Sequence, residues 1–105
     1  MGIIVYANLA NFLLDEGAKT IDQMVKEAKE MFGFPEERTR SEFEIILGMA
    51  QNNDQIKLIG DVYIKLKPLR NPEEFLNMFK NTPEGYSNQH PDLFKLLQAM
   101  KEKYK

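Results

Sequence analysis

The stretch Gln55-Ile56-Lys57-Leu58-Ile59, Gly60-Asp61, Val62-Tyr63-Ile64-Lys65-Leu66-Lys67 constrains the fold more than any other part of this chain. It is rich in β-branched residues and roughly alternating, as a half-buried strand is, and it is broken once by a Gly-Asp pair. That pattern predicts a β-hairpin. Gly60 supplies the positive φ that a two-residue turn needs at its first central position, and closing the chain there sets Ile59 opposite Val62 and Leu58 opposite Tyr63.

Three helical patterns precede the hairpin. From about Ile3 to Leu14, the residues Ile3, Tyr6, Ala7, Ala10, Leu13 and Leu14 recur at helical spacing, and Gly17 is a natural stop. A second helix opens at Thr20, whose hydroxyl can cap it while Gln23 reaches back. It carries Ile21, Met24, Val25, Ala28, Met31 and Phe32 on one stripe before Gly33. A third starts around Pro35, with Glu36 and Glu37 at the positive end of the helix dipole; Thr39 or Ser41 offers a later cap. Its buried stripe is Phe43, Ile46, Leu47 and Ala50, with Ile45 and Met49 beside it. After the hairpin, Asn71-Pro72-Glu73-Glu74 places a cap, a first-turn proline and two acids ahead of Phe75, Leu76 and Phe79, predicting a short helix to Lys80. A polar loop, Thr82 to Pro91, leads to a last helix from Pro91 to about Lys103. Leu93, Leu96, Leu97, Met100 and Tyr104 fall on one face of it.

The expected class is therefore α+β, mostly α: a winged helix-turn-helix of three helices and a hairpin over residues 1–68, then a two-helix extension over 69–105. The apolar stripe of the extension has to be covered, either by the winged helix or by a partner chain, because a free helix of this length is marginal in water. At 105 residues the chain has room for one core. With no cysteine there is neither a disulfide framework nor a thiolate metal site, and the cytoplasm is the expected compartment. Gly2-Ile3-Ile4-Val5 lacks a basic flank and runs into Asn8 and Asn11, which predicts neither a signal peptide nor a membrane span.

Catalytic chemistry finds little to stand on. His90 is the lone imidazole, and with Asp92 it offers too few ligands for zinc, so a capping or surface role is expected. Ser41 and Ser87 have no nucleophile context, the glycines are scattered singly, and Glu36-Glu37 and Glu73-Glu74 each sit where a first helical turn favours negative charge. No cofactor is expected, and the chain reads as a non-enzyme.

Two kinds of partner remain. For DNA, the third helix would offer Arg38 and Arg40, and the hairpin Lys57, Lys65 and Lys67. Glu36, Glu37, Glu42 and Glu44 share that stretch and would repel phosphate, and the net charge of -2 gives no global basic field. For a protein partner, the surplus apolar residues are Leu9 and Phe12 on the first helix, Ile45 and Met49 on the third, and Phe75, Phe79 and Leu97 in the extension. A DNA-binding regulator would be expected to form a homodimer through its last helix.

The stretch from Ala7 to Leu66 resembles the helix-turn-helix domain, of the HARE-HTH type, at the N-terminus of the delta subunit of bacterial RNA polymerase. The matching features are the Ala7-Asn8-Leu9 to Leu14 helix, Lys19-Thr20-Ile21, Phe32-Gly33-Phe34-Pro35-Glu36-Glu37, Asp54, and Val62-Tyr63-Ile64-Lys65-Leu66. Tyr63 stands where that family usually has tryptophan, and two predicted helices replace its long acidic tail. The resemblance implies a transcription-associated acidic winged helix that docks on polymerase or another protein and need not bind DNA.

Overall fold

The computed structural model describes residues 2–80 and 89–104. In chain order the elements are α1 (Ile3–Asp15), β1 (Lys19–Thr20), α2 (Ile21–Phe32), α3 (Glu36–Asn52), β2 (Ile56–Ile59), β3 (Val62–Lys65), α4 (Pro72–Met78) and α5 (Pro91–Lys103). The chain is thus mostly helical, with one small antiparallel sheet in the order β1-β3-β2. Most of the loop expected between the last two helices falls on residues 81–88, outside the described residues.

The hairpin closes in the expected register, with Ile59 opposite Val62, Leu58 opposite Tyr63, and Gly60 at φ 64°. The ladder is shorter than the alternating pattern. The backbone N–H groups of Leu66 and Lys67 both turn onto the Gln55 carbonyl, at 2.8 and 3.0 Å, and the chain leaves the sheet there. The sheet has one strand that the pattern did not announce. Lys19 and Thr20 pair with Tyr63 and Val62, and a two-residue strand has no period to read.

Thr20 then serves twice, because its hydroxyl accepts from the Gln23 N–H at 3.1 Å while the Gln23 side chain accepts from the Thr20 N–H at 2.9 Å, the expected capping box. Gly33 ends α2 at φ 83°, and the Phe34 N–H reaches back to the Ala28 carbonyl, which drives the Phe34 ring into the core. There the Tyr6 ring meets Phe34 and Phe43 edge-on at 5.5 and 6.5 Å, and Phe12 meets Phe32 at 5.7 Å.

Packing around α1 differs from a one-sided amphipathic helix. It is buried on nearly every side, including Leu9 and Phe12, because α2, α3, β3 and α5 all lie against it. The apolar face of α5 is also accounted for within the chain: Leu93, Leu96, Leu97 and Met100 are buried against α1, α2 and α4, in one core continuous with that of the first three helices. Two stripe positions go the other way. Ile3 is 42% exposed because it opens the first turn of α1, and Met31 is 46% exposed near the end of α2.

Candidate protein-docking surface

Of the five basic residues expected to meet phosphate, three are held in ion pairs and two are not, among the described residues. Arg40 is tied to Asp22 of α2 at 2.7 Å. Arg38 pairs with Glu42 at 3.3 Å and lies over the Tyr6 ring, 5.7 Å from its centre. Lys65 turns to Asp15 of α1 and is mostly covered. Lys57 and Lys67 are exposed and make no ion pair among the described residues. Glu36, Glu37 and Glu44 are exposed on the same helix as the two arginines. Internal counter-ions and flanking carboxylates both work against phosphate, so the field over α3 is mixed.

The expected partner-binding residues divide in two. Ile45 and Met49, one helical turn apart on α3, are 52% and 54% exposed. Phe75 and Leu97, at 2% and 6%, are core residues. Phe79 is half-buried and stacked edge-on against Phe75 at 5.2 Å. The reading of Phe75 and Leu97 as a docking surface is therefore corrected: α4 and α5 fold back on the rest of the chain and bury them, while Phe79 stays partly exposed. Leu93, Leu96 and Met100 of α5 are buried with Leu97, whereas Phe94 on the same helix is 40% exposed.

Met49 belongs to a groove of about 240 Å³ between the start of α1 and the second half of α3. Ile3, Ile4, Ala7, Ile46 and Ala50 line it with Met49, while Asn53, Gln55 and Arg70 form the polar edge. Sequence reasoning missed Ile3, Ile4 and Arg70 here. The wall that bears Arg70 is set by long-range bonds. The Asn11 carboxamide oxygen, buried in α1, accepts from the Leu69 N–H at 3.0 Å, and the Gln55 side chain donates to the Pro68 carbonyl at 3.0 Å. The only sequence signal for this was Asn11, one of two asparagines inside a mostly apolar helix. A wider open depression of about 770 Å³ between α2 and α5 is lined by Met31, Phe32 and Ala99 but edged by Lys95, Lys101 and Glu102, whose mixed charge favours no particular ligand.

At the C-terminal end of α1 a polar clasp holds the end of α5. The Tyr104 hydroxyl donates to Asp15, Lys65 donates to the same carboxylate, and Lys103 pairs with Glu16 at 2.8 Å while its ammonium lies 4.8 Å from the centre of the Phe12 ring. Burial pushes the Asp15 carboxyl up, but the bonds from Lys65 and Tyr104 outweigh it and hold Asp15 below the usual carboxylate range. Burial, and then the bond to Asp15, push the Tyr104 hydroxyl well above its ordinary value. The clasp is structural, since each polar group in it is matched within the chain. Burial also raises the Tyr6 hydroxyl, with Arg38 pulling it back.

His90 occupies the residue before α5, and its side chain does not cap the helix. Among the described residues no group of three or more His, Cys, Asp or Glu is placed to hold a metal ion, and no helix is long and apolar enough to cross a membrane. Comparison with protein-family models, curated proteins and solved structures finds no match to this chain.

Proposed function

We propose that this chain is a winged helix that docks on a protein partner through the second half of α3, with β2 and β3 as its wing. The order helix, short strand, two helices and hairpin supports the architecture, with α3 in the place of the recognition helix. One observation carries the function. The outward face of α3 presents Glu36, Glu37 and Glu44 in its first half and exposed Ile45 and Met49 in its second, with both arginines matched to acids. A helix meant for the major groove would offer unmatched donors to phosphate and base edges. This one offers apolar surface beside a groove.

Residues 7–66 resemble the polymerase delta-subunit domain, which makes RNA polymerase the first partner to assay and transcription the first process. The chain acts by binding and not by catalysis. The test is affinity purification of the whole protein from its native cells, with wild type beside an Ile45→Asp/Met49→Asp variant. Both side chains are more than half exposed, so the variant keeps the wild-type circular dichroism and melting curve. The reading expects a defined protein set with wild type that the variant does not retain. Equal recovery by both chains, or recovery of nucleic acid alone, overturns it.

A further inference from the structure

Resting on that docking reading, we propose that the groove between α1 and α3 receives a large apolar side chain from a segment of the partner protein that also carries a carboxylate, and that Arg70 pairs with that carboxylate. Size comes first. At about 240 Å³ the groove lies below the range of roughly 300–1,000 Å³ that small-molecule and cofactor sites occupy. It has the volume of about eight waters in the liquid, room for a bulky side chain rather than for a whole ligand. Its floor of Ile3, Ile4, Ala7, Ile46 and Met49 is apolar, which selects an aliphatic or aromatic group.

Charge comes second. Among the described residues, Arg70 is the one charged residue lining the groove, and no acid lines it. It is exposed and makes no ion pair among the described residues, unlike Arg38, Arg40 and Lys65. The bond from Leu69 to Asn11 fixes the backbone immediately before it, so the guanidinium starts from a defined place. The first turn of α1, whose Ile3 and Ile4 line the groove, carries no acid and no side-chain cap, and its amide dipoles add to the same positive potential. An apolar floor with a positive charge at its edge that no acid pairs among the described residues is complementary to an acidic amphipathic segment.

The test uses a random peptide library displayed on phage, selected on the full chain and on its Arg70→Glu variant, followed by fluorescence anisotropy with the best peptide. Arg70→Glu is expected to keep the wild-type melting curve, because Arg70 is exposed and makes no ion pair among the described residues. Wild type is expected to select a bulky apolar residue with Asp or Glu nearby. Arg70→Glu should bind that peptide at least about tenfold more weakly and recover binding when the acid of the peptide is exchanged for lysine. Met49→Asp should abolish binding. Peptides that need Met49 but are indifferent to Arg70→Glu overturn the carboxylate while leaving the docking reading intact; selections with no peptide that depends on Met49 overturn both. Light scattering that finds a dimer which Met49→Asp dissociates overturns the proposal in favour of a second copy of this chain, and a duplex-DNA mobility shift lost in Arg70→Glu overturns it in favour of nucleic acid.

Discussion

Two asparagines buried in the same helix make opposite contributions, and a matched pair of substitutions separates them. Asn8 and Asn11 are each 1% exposed in α1. The Asn8 side chain donates to the Ile4 carbonyl of its own helix at 2.9 Å, and its oxygen meets no donor among the described residues. Asn11 instead accepts from the Leu69 N–H across the fold. Asn8→Leu and Asn11→Leu change side-chain size equally, so any overpacking cost is similar in both. Asn8→Leu also removes an unmatched buried acceptor, a gain of roughly 1–3 kcal/mol that offsets the crowding, and its net effect should lie within about 1 kcal/mol of wild type. Asn11→Leu leaves the Leu69 N–H buried without a partner and adds about 1–3 kcal/mol to the same crowding cost. The two variants should differ by about 2–6 kcal/mol in urea unfolding, Asn11→Leu being the weaker, and the Leu69 amide should lose its protection from hydrogen exchange in that variant alone. Equal stability of the two, or a Leu69 amide unprotected in wild type, would refute the reasoning.

The remaining predictions concern the clasp, the last helix and the turn. Because the folded-state pKa of Asp15 is lowered, its contribution is fully present above the ordinary carboxyl pKa of about 3.9 and is lost as pH falls through the folded value. Asp15→Asn should therefore cost about 1–2 kcal/mol at pH 7, and its gap from wild type should close in thermal melts taken well below pH 4. Leu96→Ala empties a fully buried site on α5 and should cost about 2–5 kcal/mol by chemical denaturation; wild type should run as a monomer in light scattering, since that face is covered by its own chain. Gly60→Ala forces a side chain into a left-handed turn and should cost about 1–2 kcal/mol in the same assay.

Local periodicity made the helices, the capping box and the hairpin register legible in the sequence, because each is determined by residues a few positions apart. Elements held by distant contacts were not. Leu9 and Phe12 read as surplus only on the assumption that α1 has one buried face, whereas the helix is central and covered from several directions. Phe75 and Leu97 looked available to a partner because nothing local says that α4 and α5 turn back onto the first three helices. At the candidate site, Ile45 and Met49 were visible as apolar residues beside a complete stripe. Arg70 was not, since its position depends on a bond between residues 58 apart in sequence. Charge counting warned against a basic face, but the ion pairs that neutralise Arg40 and Lys65 span separate elements and appear only in the fold.

The most direct test of docking through α3 is site-specific photo-crosslinking in the native cells, with a benzophenone amino acid placed at position 49 and, as a control, at exposed Lys26 on α2. Docking predicts one discrete protein adduct from position 49, none from position 26, and loss of the adduct when Ile45→Asp is added. The same adducts from both positions, or crosslinks to nucleic acid alone from position 49, would contradict the account.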